Sequence, residues 1–247
     1  MTRPTTHFGY TEVPLEEKAE RVRAVFDSVA DRYDLMNDLM SCGVHRLWKR
    51  LAIELAGIRP GHRVLDLAGG TGDLASRLAG KVGSNGQVVL SDINASMLGR
   101  GRDRLVNEGY LGVQYAQANA EFIPFQNRSF DRVTMAFGLR NVTRKETALA
   151  EIFRVLKPGG QLIVLEFSHP VLAPFARLYD FYSFTILPQL GRWVTGDEAS
   201  YRYLAESIRV HPDQETLKAM FESVGFERCD YHNLTGGVVA IHRGVKL

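Results

Sequence analysis

The stretch that most limits what this chain can become is Arg63-Val64-Leu65-Asp66-Leu67-Ala68-Gly69-Gly70-Thr71-Gly72-Asp73-Leu74-Ala75. An apolar run, expected as the first buried strand, empties into a glycine-rich turn, and helix-forming residues from Leu74 to Ala79 follow at once. That order predicts the start of a nucleotide-binding α/β unit. Glycine has no Cβ and accepts positive φ, so backbone N–H groups and the positive end of the following helix can come close to a ligand. A polar group is therefore expected against this turn.

Two ligand classes compete for it. Gly70-x-Gly72-x-x-Ala75 can be fitted to a dinucleotide fingerprint, with Asp92 following about twenty residues on, after the expected strand Val88-Val89-Leu90-Ser91. Asp66, inside the end of the first strand, shifts the reading. The pattern Asp66-x-Ala68-x-Gly70-x-Gly72 resembles the S-adenosyl-L-methionine motif of Rossmann-like methyltransferases, with Ala68 in place of the first glycine. That resemblance implies that Asp66 lies near the methionine part of the cofactor and that Asp92 binds the ribose hydroxyls. Asp66 can also be read as a carboxylate capping the glycine turn. Ala68 is expected only to narrow the freedom of that turn.

Composition narrows the class. The 247 residues, 45% hydrophobic and 23% charged, suffice for one α/β domain with extensions. We read residues 1–247 as a single domain, with an N-terminal arm and helical cap over 1–58 and a substrate-side insertion over 170–210. A net charge of +2 provides no general field for nucleic acid. Cys42 and Cys229 are far apart and form no C-x-x-C spacing, which argues against a disulfide framework or a zinc site; no metal is expected. With no apolar leader and no uncharged run of the ~18 residues a bilayer span needs, the expected compartment is the cytoplasm.

Residues 1–16 lack periodicity and are expected to form a poorly ordered arm. From Glu17, the three- and four-residue steps of Val22, Val25, Phe26, Val29, Ala30 and Tyr33 predict a helix. A second, from about Arg46 to Ala56, places Leu47, Leu51, Ala52 and Leu55 on one face and Arg46, Lys49 and Arg50 on another. These helices could cover the cofactor cleft. Further strands are expected over Val113–Gln117, Phe130–Ala136 and Gln161–Glu166, the last after a turn at Lys157-Pro158-Gly159-Gly160, with a helix near Lys145 to Leu156. Five strands separated by helices imply a parallel sheet with ligands at the strands' carboxyl ends. A helix near Asp213 to Val224 precedes an expected antiparallel hairpin, Phe226–Asn233 with Gly237–His242. The fold expected is thus α/β, a Rossmann-like class I methyltransferase, with a seven-stranded mostly parallel sheet closed by a C-terminal antiparallel hairpin. Aromatic residues crowd 170–195, including Phe175, Tyr179, Phe181, Tyr182, Phe184 and Trp193; the region reads either as an inserted core helix pair or as an apolar substrate wall or membrane-facing lid.

Longer patterns go further. Tyr33-Asp34-x-Met36-Asn37-x-x-Met40-Ser41-x-x-x-His45-x-x-Trp48 and Arg154-Val155-Leu156-Lys157-Pro158-Gly159-Gly160-x-Leu162-x-x-Leu165-Glu166-x-Ser168 resemble two signatures of the ubiquinone/menaquinone biosynthesis C-methyltransferase family. The resemblance extends to Phe137-Gly138-Leu139-Arg140-Asn141-Val142 and to 200–208. It implies an S-adenosyl-L-methionine-dependent enzyme acting on a ring carbon of 2-methoxy-6-polyprenyl-1,4-benzoquinol or demethylmenaquinol. It also implies cofactor contacts from Thr71, Asp92, Asn119 and Ala120. At Ala136, where relatives often carry serine, only a backbone contact carries over. Asn119 can also be an ordinary turn residue.

Removing a hydroxyl proton, pKa near ~10 if it resembles tyrosine, makes a quinol ring carbon nucleophilic. Tyr33, Asp34, His45, Arg140 and Asn141 are the candidates for proton transfer or phenolate stabilisation. Arginine is no base at neutral pH, so Arg140 would stabilise phenolate or orient water. His45 has a suitable intrinsic pKa, though at a helix start it also reads as a cap or packing residue. A polyprenyl substrate lives in the bilayer, so Arg46, Lys49 and Arg50 beside Trp48, together with the 175–193 aromatics, form either a contact with the inner face of the membrane or a solvated face. No Asn/Asp-Pro-Pro-aromatic motif follows the fourth strand, which disfavours a nucleic-acid methyltransferase. A methyltransferase for another phenolic small molecule, a non-catalytic cofactor-binding protein, and a monomer or homodimer all stay open.

Overall fold

Thr5–Phe8 (β1) and Thr11–Pro14 (β2) pair antiparallel about Gly9, where the sequence pattern predicts a poorly ordered arm. The anchors of this hairpin are remote in sequence. The Phe8 ring stacks on Tyr203 at 4.2 Å, and the Tyr10 N–H donates to the Glu206 carboxylate at 3.1 Å. Gly9, at φ +58°, lies so close to Glu206 that a Cβ there would sit 2.3 Å from the carboxylate oxygen. The computed structural model describes residues 4–29, 37, 38, 41, 43–171, 179, 181–186, 188, 189, 192 and 197–247. Tyr33, Asp34, Cys42, Phe175, Trp193 and much of the aromatic stretch lie outside them.

Leu15–Val29 (α1) follows the hairpin directly, and His45–Leu55 (α2) leads to the sheet. Strands Arg63–Leu67 (β3), Gln87–Asp92 (β4), Gln114–Gln117 (β5), Phe130–Ala136 (β6) and Leu156–Phe167 (β7) alternate with helices Asp73–Val82 (α3), Ala95–Asn107 (α4) and Lys145–Val155 (α5). Glu198–Val210 (α6), Gln214–Ser223 (α7), Glu227–Leu234 (β8) and Val239–Val245 (β9) complete the chain. The sheet order is β5-β4-β3-β6-β7-β9-β8; β3 to β7 are parallel, and β9 runs antiparallel to both β7 and β8. This is the α/β class I methyltransferase architecture expected.

Alternation along β7 sorts the two faces. Ile163, Leu165 and Phe167 pack with Trp48, Ala52, Tyr201 and Leu204, whereas Leu162 and Val164 pack with Leu149, Ile152 and Phe221. The expected turn at 157–160 is instead part of β7. Its backbone pairs with the C-terminus, Gly159 N–H to the Lys246 carbonyl and Lys246 N–H to the Gly160 carbonyl at 2.9 Å, while the register shifts opposite Phe130 and Arg132. A second correction falls on α2. Leu47, expected on the apolar face, is 63% exposed, and Lys49, expected on the basic face, is buried. Lys49 reaches inward to Asp73 at 2.7 Å, so a local helical-wheel reading misplaces it.

Candidate functional site

The carboxyl ends of β3, β4, β5 and β6 open into a cleft enclosing about 850 Å³ of space, solvent at its mouth included. Ala68, Gly70, Asp92, Asn119, Met135 and Phe137 line it from the strand ends, and Ala19, Val22, Arg23 and Phe26 of α1 form a facing wall.

The glycine turn is held from several sides. The Gly69 N–H donates to the Ser91 carbonyl at 3.0 Å, and the Gly70 N–H to Asp92 Oδ2 at 2.9 Å. Gly70 (φ +55°) and Gly72 (φ +78°) use the left-handed region that the motif predicts. Ala68 does so as well, at φ +53°, and its role exceeds narrowing the turn. A Cβ built on Gly138 would fall 2.7 Å from the Ala68 Cβ, so the methyl of one residue fills the space left by the other. Behind the turn, Gly101 of α4 permits backbone contact, since a Cβ there would sit 2.6 Å from the Gly70 carbonyl oxygen.

Asp92 stands at the tip of β4. Its Oδ1 accepts the Asn94 N–H at 2.8 Å, and burial pushes its carboxyl up to about 6. Asn94, which the sequence reading missed, caps α4 by accepting from the N–H groups of Ser96 and Met97, and its amide donates to Asp27 of α1 at 2.8 Å. The Asn-x-Ser capping spacing before α4 was its available sequence signal. Asn119 holds its own turn through the Glu121 N–H at 2.9 Å while also lining the cleft, so its two readings are compatible.

Other expected residues lie elsewhere. Asp66 is fully buried beneath Gly69; Oδ1 accepts the Thr134 hydroxyl at 2.9 Å and Oδ2 has no partner among the described residues. Burial pushes it up to about 7. Thr71, Gly72 and Ala136 adjoin the cleft in sequence but do not line it. Asp73 starts α3, and although burial opposes ionisation, the Lys49 ammonium followed by Arg77 and Arg104 holds its carboxyl below the usual range. This buried pair pins α3, and so the turn, to α2.

Among the expected catalytic residues, Asn141 lines the cleft with Ala120, Gly138 and Val142, and accepts the Tyr203 hydroxyl at 3.0 Å. Burial pushes the Tyr203 phenol above its ordinary value. Arg140 points away. Its Nη1 meets Glu166 Oε1 at 2.8 Å and the Phe137 carbonyl, in an ion pair almost wholly withdrawn from solvent. His45 is buried at the start of α2, away from the cleft lining, with Nε2 2.9 Å from Asp38 Oδ1; burial lowers its pKa. Tyr33 lies outside the described residues. No cluster of metal-ligating side chains occurs among the described residues.

The cleft suits a cofactor with a ribose diol. Asp92, held by the backbone N–H groups of Gly70, Ile93 and Asn94, presents its carboxylate to the cleft, and apolar Ile93, Met97, Ala118 and Ala120 offer a surface for a base.

Solved structures share the architecture: an S-adenosylmethionine-dependent methyltransferase from Thermotoga maritima described as a possible histamine N-methyltransferase (TM-score 0.65, 20% identity, 91% of this chain and 99% of that one) and one from Aquifex aeolicus (TM-score 0.61, 16%, 81% and 89%). At that identity they show the fold alone. Curated relatives are far closer in sequence. The chain is 62% identical over 244 residues, 98% of its length and 95% of the relative's, to the "Ubiquinone/menaquinone biosynthesis C-methyltransferase UbiE" of Stutzerimonas stutzeri. It is 62% identical over 246 residues to the protein of the same name from Erwinia tasmaniensis, covering 99% and 98%. The family model for the ubiE/COQ5 methyltransferase family matches residues 15–246. The chain therefore belongs to the ubiE/COQ5 methyltransferase family.

Proposed function

We propose that this chain, acting as one domain over 1–247, transfers a methyl group from S-adenosyl-L-methionine to a ring carbon of a polyprenyl quinol: 2-methoxy-6-polyprenyl-1,4-benzoquinol, demethylmenaquinol or both. The observation that carries this reading is near-full-length identity of 62% to relatives named for that C-methylation. The cleft at the strands' carboxyl ends is consistent with it. When bound, the cofactor supplies an electrophilic methyl on sulfur. The protein's part is to bind it, orient the acceptor and move a proton.

In this reading Asp92 accepts the ribose hydroxyls, and the backbone of Gly70, Thr71 and Gly72 meets the polar end of the cofactor. Asn119 and Ala120 edge the base, Ala136 contributes through its backbone, and Asp66 supports the turn from below. Asn141, held by Tyr203, is the described candidate for contact with the acceptor hydroxyl. Arg140, neutralised by Glu166, acts by fixing the 137–141 backbone next to it. Proton-transfer roles for Tyr33 and His45 rest on the chemistry of their side chains alone.

The substrate's tail calls for contact with a membrane surface. Among the described residues no helix is long and apolar enough to cross a membrane. We place a peripheral contact at exposed Tyr10, Phe181, Phe184 and Ile186, with exposed Arg46 and Arg50; buried Lys49 drops out of that face. A monomer and a homodimer both accommodate this reading, and sedimentation equilibrium separates them.

The test is transfer of labelled methyl from S-adenosyl-L-methionine into reduced quinone lipids extracted from a strain lacking its own enzyme. Label in a ubiquinone or menaquinone precursor supports the reading and shows which ring is accepted. Cofactor binding without labelled quinone overturns the substrate and directs the search to other phenols.

A further inference from the structure

A second cavity, enclosing about 920 Å³ with its open mouth, lies beyond the segment 137–143 that walls the cofactor cleft, and Thr143 faces both spaces. We propose that it is a binding site for a small tetrahedral oxyanion, either free inorganic phosphate or the phosphoryl group of a small metabolite, held by Lys18, Lys145 and the N-terminus of α5.

Lys18 is 4% exposed, and its ammonium reaches the Val142 carbonyl at 3.4 Å. The Lys145 ammonium reaches the same oxygen at 3.3 Å. Two like charges thus converge on one neutral acceptor, and neither has a carboxylate within ion-pair distance among the described residues. The nearby acids are engaged or outward. Glu121 accepts the N–H groups of Thr143 and Arg144 and pairs with the Arg144 guanidinium; Glu166 pairs with Arg140; Glu146 lines the cavity but is exposed.

Three further features point the same way. Arg140 lines this cavity, and its buried Nε has no hydrogen-bond partner among the described residues. The eleven-residue α5 begins at the cavity with no side-chain cap on Arg144; Glu121 accepts the N–H groups of Thr143 and Arg144 just before it, and those of its first turn remain for a ligand. His7, Tyr203 and Ser207 also line the space and add no negative charge. Burial, followed by the proximity of Lys145, brings Lys18 down to about 8, and burial lowers Lys145 as well. Both shifts are what a cationic pocket lacking its counter-charge should show, because buried charge is costly unless paired.

The experiment is titration of the full-length protein with inorganic phosphate, pyrophosphate and glycerol phosphate at constant ionic strength, followed by calorimetry and phosphorus NMR. Saturable binding with Kd of about 1 mM or tighter is expected. It should weaken by about tenfold or more in Lys18→Gln and Lys145→Gln, the loss of one charge-assisted contact each. Binding should fall as pH rises through about 8, where Lys18 gives up its proton. Each variant is first checked for native circular dichroism and cofactor affinity, and Lys145→Arg is expected to retain binding. Tighter binding of free phosphate identifies the free ion, and tighter binding of glycerol phosphate identifies a phosphoryl ligand. Absence of saturation, equal binding by the folded glutamine variants, or competition with S-adenosylhomocysteine would each overturn the proposal.

Discussion

Asp92 meets opposing demands at a single residue. Its carboxylate accepts the N–H groups of Gly70 and Asn94, yet burial raises its pKa to about 6. The ionised form is the better acceptor for ribose hydroxyls. Cofactor affinity is therefore expected to be level above about pH 6 and to weaken as pH falls through it, as read by calorimetric titration. Asp92→Asn should weaken binding about 10- to 100-fold at neutral pH and remove most of that dependence. Ala68 and Gly138 offer a second test. With 2.7 Å between the Ala68 methyl and a Cβ at Gly138, Gly138→Ala should cost about 1–3 kcal/mol by overpacking, and Ala68→Gly in the same chain should restore most of it. A double-mutant cycle in denaturant measures the coupling, and simple additivity would show that the two methyls do not meet. The motif reading found the glycine turn and Asp92 because both are local; it could not tell that Asp66 is sealed beneath Gly69 or that Arg140 turns to Glu166, since those partners come from distant strands.

At the scale of the element, α1 shapes the cleft. Its Ala19, Val22 and Phe26 form one wall, Asp27 holds Asn94, and Ser28 bonds Asp197 and Ser200 at the start of α6. Asp27→Ala leaves the cap on α4 intact and removes one part-buried contact between wall and strand end. We expect cofactor dissociation to quicken about threefold in stopped-flow measurements, with a stability loss below about 1 kcal/mol. An unchanged rate would show that apolar packing alone holds the wall. Helix periodicity placed α1, α2 and α5 within a few residues, because an amphipathic stripe is written locally. The β1–β2 hairpin escaped notice for the opposite reason: its threonines and glycine carry no period, and the groups that order it, Tyr203 and Glu206, lie nearly two hundred residues along.

Across the whole molecule, buried acids set the response to pH. The Asp66 carboxyl has a folded-state pKa of about 7 against an ordinary 3.8, so its stabilising contribution is complete below the lower value and is lost as pH rises through the higher one. The thermal midpoint without cofactor should fall between about pH 4 and pH 7, and Asp66→Asn should flatten that fall; an identical slope would exclude Asp66 as its source. A net charge of +2 gives no strong field, so the proposed membrane contact would rest on exposed Tyr10, Phe181 and Phe184 and on the α2 arginines, Arg46 and Arg50. Flotation with anionic vesicles is expected to carry the protein upward, less so for Arg46→Glu with Arg50→Glu. Recovery only in the bottom fraction would remove this contact from the proposed function.

The strand-turn-helix order, the parallel sheet with its reversed last strand, and the acid at the end of β4 were written in the sequence by itself, because alternation, glycine placement and family signatures are short-range or tied to fixed spacings. Tertiary structure decided the rest. It buried Lys49 against Asp73, set Ala68 into the space of Gly138, ordered the N-terminal hairpin and brought Lys18 of α1 and Lys145 of α5 to one carbonyl. Each of these depends on which distant surface a side chain meets once the sheet is closed, and no local pattern encodes that choice.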